Sequence, residues 1–560
     1  MPQFFASTHL TNRSRLRFAM STPDASAVPS RQRARKRVRS SLIATWGLAS
    51  GVCLGGTLFP HQHGAALAVV VGSLLVALAR GTADTDVPEE VSALQTAERW
   101  APLCVVLFFL PVLTHVVAPG ADMAMHAALS RALRDDLPVL SPAWGSVRAS
   151  AYPLGFSAWI AIFGTLVDLG AASTLASACA FALYYHALQR FFATVLAAPY
   201  PKLLAAFLLL ASWSPQAFYR WGGGPSVLAM ALSLLAAAEL RQLRAAPGAF
   251  SRAAFVTVLL TAAMATHPIG ASIGSACSGL VWLHGCTRAR QPLAALSGVV
   301  FVPLLLLMAW LSLAGPALSQ REHTWIYHFR TVDENVLGTW PRWLFPLTVW
   351  RALAVRIGAV VSVCFVASCF ALWRRDRRIV WTSLLAIEAF GILLAYGPEL
   401  PVLGFLIYPS RLMPAATLLM AGPLSAAMPF VPRKGGSLLA LSALAVHVGV
   451  YQAARPIVTR DDAAVLQCLA EHIPAGAVID GAYGDATQWI PALTGHAVTH
   501  PHEHCSLFDE VDAELAQQRP SYRFVGERVS FGEALPPLLT SASVICERGA
   551  ARLYKKPDAP

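Results

Sequence analysis

The sequence predicts a polytopic all-α membrane protein of about 13 transmembrane helices, followed by a small external α/β domain at the C-terminus. Three observations predict it. Apolar residues make up 56% of the 560-residue chain, charged residues only 13%, and the mean hydropathy is +0.53, values that exclude an ordinary water-soluble domain of this length. Between Ser41 and Tyr451, apolar stretches close to the roughly 20 residues that a bilayer requires follow one another. From residue 455 onward, nine basic residues face fourteen acids, a balance unlike the net +12 of the whole chain.

The first 40 residues read as a basic tail. "RQRARKRVRS" with Arg13, Arg15 and Arg17 gives nine basic residues against one acid, Asp24. Such a segment is expected to be solvated, disordered and held in the cytosol, where it touches anionic lipid rather than nucleic acid. Spans that simply follow one another, with no cleavage site after the first, do not read as a secretory signal.

Orientation follows from the basic clusters, which mark cytosolic ends. Spans at 41–60, 64–80 and 101–118 carry the chain out, back and out again, so residues 119–170 form a long external loop in which "YPLGFSAWIAIFGTLVDLG" holds a short helix. Arg190 and Lys202, then Arg241, Arg244 and Arg252, then "CTRAR", "RRDRR" and "PRKGG" fit the cytosolic face. The remaining spans fall near 171–190, 203–218, 224–240, 252–266, 269–285, 292–314, 352–373, 379–396, 411–428 and 437–452, with a second external loop at 315–350. The transmembrane core thus covers 41–452 and leaves 453–560 outside. There the pattern gives a helix at "DDAAVLQCLAEHIP", a strand at "AVID", a helix around "DATQWIPALTG", a strand at "HAVTH" and a hairpin around "SVICERGAARLYKK".

Seven of the ten cysteines lie in the apolar region, where Cys acts as a small hydrophobe. Cys468, Cys505 and Cys546 fall in the external domain, and a Cys505–Cys546 disulfide is one possible pairing there. His500, His502 and His504 alternate as metal ligands on a strand would, or belong to a polar turn broken by Pro501.

Chemistry is expected where a carboxylate meets the membrane edge. In "PGADMAMHAALSRALRDD", Pro119 and Gly120 end a span and Asp122 stands at the start of a helix, where it would cap or electrostatically favour the N-terminus. His126 shares its face one turn on. Trp325, Tyr327, Trp340 and Trp343 in the second loop suit an interfacial belt or sugar stacking equally. Glu388 stands near the middle of a predicted span, a costly position that points to function or to a protonated interhelical contact.

The layout resembles the GT-C superfamily of membrane glycosyltransferases, which includes oligosaccharyltransferases, protein O-mannosyltransferases and lipid A aminoarabinose transferases. The likeness rests on the basic start, on the external loop with Asp122 near its beginning, on Tyr152, Pro153, Gly155 and Trp159, and on the external C-terminal domain. "YRWGGGPSVLAMAL" at 219–232, "ATHPIG" at 265–270 and "DGAYGDATQWIPALTGHAV" are similar to stretches of poorly characterised members. The resemblance implies an inverting transferase that moves a sugar from a polyprenyl-phosphate donor to a glycan, lipid or protein acceptor on the non-cytosolic face, with Asp122 as the catalytic base. It also implies His126, Tyr152, Arg220, His328, Arg330 and Arg411 as substrate-binding residues, with His323 a further possible phosphate contact. Arginine suits phosphate because its planar fork donates two bonds at once; each of these residues could equally anchor a span end.

Metal-dependent members carry a second acidic motif in the next external loop, where this chain has "SPQAFYRWGGGP". No cofactor is therefore predicted, and a divalent metal is not supported by a second acidic motif. The expected place is the plasma membrane, the inner membrane of a bacterium, with the N-terminus cytosolic and membrane lipids as partners. Two other classes remain open: a secondary transporter or lipid flippase built around Glu388, and a non-catalytic protein that keeps the GT-C layout. The chain has no internal repeat of the kind many transporters show.

Overall fold

The computed structural model describes residues 28–58, 63–79, 93–109, 115–135, 153–212, 218–242, 249–289, 357–396, 409–430, 457–481, 485–499, 520–528 and 542–556. It is mostly helical, with a small sheet near the C-terminus.

Helix α1 (Val28–Leu58) begins inside the stretch expected to be a disordered tail. From Ser30 to Trp46 that stretch holds no Gly or Pro and is rich in Arg, strong helix formers that extend a helix nucleated where its far half packs. α2 (His63–Ala79) lies against α1, with Gly47, Gly51 and Gly55 turned to the α2 backbone every fourth residue. Such a small-residue stripe lets two apolar helices approach closely. α3 (Ala93–Phe109) starts eight residues before the expected span at 101–118, and residues 115–120 form bends instead of its final turn. The earlier start has a purpose: the Glu98 carboxylate accepts the backbone N–H groups of Lys202 at 2.9 Å and Leu203 at 2.6 Å, and so closes the open N-terminus of α7 (Pro201–Ala211).

Between these, α4 (Ala121–Arg134) and the short α5 (Gly155–Phe163) come from the expected external loop, and α6 (Leu169–Thr194) starts where Asp168 caps Ala171 N–H at 2.9 Å. α8 (Gly224–Arg241) is almost wholly buried and forms the central post, with α6, α9 (Ala249–Thr266) and α10 (Pro268–Ala289) packed round it. α11 (Ala359–Leu372), α12 (Arg377–Tyr396) and α13 (Pro409–Ala427) form a second group, joined to the first through α7 and α10.

Among the described residues two helices are long and apolar enough to cross a membrane, Gly224–Arg241 and Arg411–Phe430, which is short of the expected thirteen. Expected spans at 292–314 and 437–452 lie outside the described residues. Others, such as Pro201–Ala211 and Ala359–Leu372, are apolar but end early.

The bundle has two chemically distinct ends. Glu239, 1% exposed near the end of α8, meets Arg190 of α6 at 3.5 Å and Arg252 of α9 at 3.8 Å. These arginines were read as cytosolic markers, and one carboxylate gathers them. The opposite end of α8 starts at Gly224, beside α4.

In the C-terminal part, α14 (Arg460–His472) opens on a capping box in which Thr459 and Asp462 satisfy each other's backbone N–H groups. β1 (Val478–Asp480), β2 (Ala497–Val498), β3 (Tyr522–Val525), β4 (Ser543–Arg548) and β5 (Ala551–Lys555) form one mixed sheet in the order β2-β1-β3-β5-β4. β1 runs parallel to β2 and β3, while β4 and β5 make the expected antiparallel hairpin. β3 is an addition to the expected set, and it joins the two halves of the sheet. The helix expected around "DATQWIPALTG" is a 3-10 turn at Ala486–Trp489 followed by α15 (Ile490–Thr494). Cys546 is bonded to Cys468 of α14, not to Cys505, which lies outside the described residues.

Candidate active site at the start of α4

Gly120 precedes α4 with φ 99°, and its Cα lies against the backbone of Trp221 and Gly222, so closely that a side chain there would overlap them. Gly222, at φ 93°, in turn faces Met123 N. Both positions need glycine twice over, for the left-handed backbone and for the space. The "WGGGP" stretch is thereby explained: its glycines let the turn before α8 press onto the first turn of α4.

That contact fixes two side chains. Asp122 lies in the first turn of α4, and its Oδ2 accepts from Arg411 Nη2 at 2.8 Å. Arg411, from the first turn of α13, lays its guanidinium over the Trp221 ring, 3.5 Å from the centroid. The indole face and the carboxylate hold one cation in place. Both partners keep some exposure, 25% for Asp122 and 18% for Arg411, so a ligand can reach them.

Two histidines stand nearby. His126, buried one turn further along α4, is 3.3 Å through Nδ1 from Ser157 Oγ and packs edge-on to Phe156, with centroids 5.7 Å apart. Ser130 Oγ donates to Ser157 O at 2.7 Å, which fastens α5 to α4. His267, at the junction of α9 and α10, accepts Gly270 N–H at Nδ1 over 3.1 Å. Loss of hydration, then the Arg411 charge, pushes its imidazole down to about 3, against the pull of Asp122. Asp122, Arg411, His126 and His267 thus form one electrostatic cluster.

The C-terminal domain borders it. Arg131, three turns from the start of α4, donates to Ala492 O at 3.2 Å, and Gly495, at φ 83°, comes close to the same guanidinium. His115 Nδ1 lies 3.2 Å from Tyr219 Oη, and its imidazole is held below its ordinary value by burial and by the nearby Arg528.

The residues expected from sequence are thus distributed unevenly. Asp122 and Arg411 meet; His126 lies beside them in the core; Arg220 is exposed on the turn before α8. Tyr152, His323, His328, Arg330 and the aromatic cluster at 325–343 lie outside the described residues, as do His500, His502 and His504. Glu388 is half-buried on α12, in the other helix group. Trp221 and His267 were not assigned roles, although both sit in stretches already singled out. The one trio of described residues whose donor atoms lie within 4.8 Å of one another is Cys468, His472 and Cys546, and the two sulfurs there are joined as a disulfide rather than free as thiolates.

No protein-family model matches this chain, and no curated protein does. Among solved structures, the chain is similar to the crystal structure of the Archaeoglobus fulgidus oligosaccharyltransferase in complex with Zn and sulfate, at 12% identity. The overlap covers 76% of this chain and 67% of the other, with a TM-score of 0.44, a likeness of layout too slight to assign fold family or activity.

Proposed function

We propose that the chain is a membrane glycosyltransferase of GT-C type, which moves a sugar from a polyprenyl-phosphate donor to a hydroxyl-bearing acceptor on the non-cytosolic face. The observation that carries the reading is the Asp122–Arg411 pair: a carboxylate and a guanidinium, the group best suited to phosphate, 289 residues apart in the chain, meet at 2.8 Å in a partly open site. The sequence resemblance supplies the reaction class.

In this reading Arg411 serves both states. Without donor, its guanidinium neutralises Asp122. An arriving lipid phosphate competes for the same donors, and as the fork turns to it, Asp122 is released to accept the acceptor's hydroxyl proton. The acceptor oxygen then bonds to the anomeric carbon, the carbon–oxygen bond to phosphate breaks, and the polyprenyl phosphate leaves with the electron pair, held by Arg411. Trp221 keeps the guanidinium in plane throughout.

The topology belongs to the same proposal. Arg190, Arg241 and Arg252 lie at one end of the bundle and Asp122 at the other, which supports a site on the face opposite the cytosol, and the Cys468–Cys546 bond suits an oxidising compartment for the C-terminal domain. The reading is tested by deleting the gene and comparing envelope glycans and polyprenyl-phosphate sugars with the parent strain. A lost glycan sugar with its lipid-linked donor accumulated is the expected result. An unchanged glycan and lipid profile counts against transfer and moves the transport and non-catalytic readings ahead.

A further inference from the structure

His267 is absent from the reaction as written above, yet its geometry defines what it can do. Gly270 N–H donates to Nδ1 at 3.1 Å. A ring nitrogen that accepts a hydrogen bond carries no proton, so the imidazole is the neutral tautomer with its hydrogen on Nε2. The donor sits in the first turn of α10, where the positive end of the helix dipole opposes a second proton. The titratable and charged groups around the ring are Arg411, His126 and Asp122. The ring is half-buried.

A neutral N–H, fixed from behind by the backbone and within electrostatic range of the Arg411 guanidinium, can supply the second half of an anion cradle. Resting on the sugar-transfer reading, we propose that His267 is a second donor to the lipid phosphate: its Nε2–H binds a phosphate oxygen while Arg411 supplies the charge. No proton is transferred. The group leaves as an anion, and a neutral donor can hold it in both the bound donor and the departing product without itself changing state. "ATHPIG" then has a physical reading: Pro268 starts α10 without needing a backbone donor, and Gly270 comes close to Ser226 of α8 and holds the ring.

The test uses the purified full chain in detergent micelles with undecaprenyl phosphate as the probe, read by quenching of tryptophan fluorescence. The amide of Gln reaches the Nε2 position and that of Asn reaches only Nδ1, so the two substitutions separate donation from shape. His267→Asn is expected to weaken binding about tenfold or more, the scale of one hydrogen bond to a charged group, and His267→Gln to recover most of that loss. Asn binding like the wild type, or Gln losing as much as Asn, overturns the proposal while leaving sugar transfer standing. Failure of the wild type to bind, or of Arg411→Gln to weaken binding, overturns the sugar-transfer reading itself and this inference with it. A second readout does not depend on folding of the Asn variant. In protein labelled with ¹⁵N-histidine, the ring signals lost in His267→Gln should show an unprotonated Nδ1 and a protonated Nε2 at pH 6; an imidazolium signal overturns the assignment.

Discussion

Neutralising either half of the Asp122–Arg411 pair leaves a half-buried charge without its main partner, and this can be measured as a coupling. At 2.8 Å between nitrogen and oxygen, the charge centres are about 4 Å apart, which at an effective dielectric of about 20 gives about 4 kcal/mol of attraction. Exposures of 18% and 25% mean that solvent still screens the pair and that removing it from water cost part of that gain. A net coupling of about 1–2 kcal/mol remains. The assay is a double-mutant cycle with Asp122→Asn and Arg411→Gln, both close in shape to the native residues, unfolded by SDS in mixed micelles and followed by circular dichroism. Each single variant should lose stability, and the double variant should lose less than their sum by about that coupling. Additive losses would refute the contact and, with it, the idea that Arg411 holds Asp122 until phosphate arrives.

Other outcomes follow from the same geometry. Gly495→Val should loosen the C-terminal domain from α4, because the left-handed backbone there excludes a branched side chain and the Arg131 guanidinium that holds Ala492 O would have to move aside; limited proteolysis should then cut between the two parts faster, and an unchanged rate would contradict the contact. Glu239→Ala should cost about 2–3 kcal/mol in the same SDS titration, since it leaves Arg190 and Arg252 without the carboxylate that joins three helices, and a loss near zero would argue against that junction. Asp485 is 1% exposed, and burial pushes its carboxyl from 3.8 up to about 6. The folded state therefore holds a proton that the unfolded state has released across that window, so stability should fall by up to about 3 kcal/mol as pH rises through it; Asp485→Asn should flatten this slope, and a wild-type slope of opposite sign would contradict the burial. Reducing Cys468–Cys546, which closes a loop across a sequence separation of 78, should destabilise the C-terminal domain by up to about 4.5 kcal/mol, read as a lowered unfolding midpoint under a phosphine reductant.

What the sequence revealed depended on the range of the physics involved. Asp122 could be singled out because a carboxylate after Pro119 and Gly120 interrupts an apolar run, and Arg411 because a lone arginine follows Tyr408 and Pro409 at a span end. Their meeting was not legible, since nothing local joins α4 to α13 across 289 residues. Trp221 and His267 lay in stretches already marked, but a Trp before three glycines reads as a turn and a His before Pro268 reads as a helix end; only the packing of α8 and α10 gives them neighbours. The helix–strand pattern of the C-terminal domain was readable because its periods are short. β3 escaped because a four-residue strand leaves little pattern, and Cys468 because an amphipathic helix gives its cysteines no sign of a partner in a distant hairpin. In the basic run before Ser41 charge suggested a tail, and helix propensity with the absence of breakers after Pro29 lets α1 reach back to Val28.

The most direct test of the account compares a deletion strain complemented by the wild type with one complemented by Asp122→Asn at equal expression, reading envelope glycans and polyprenyl-phosphate sugars together. The account predicts that the wild type restores the missing sugar while Asp122→Asn leaves it missing and its lipid-linked donor accumulated. Equal restoration by both would contradict it, and would reduce Asp122 to the structural partner of Arg411.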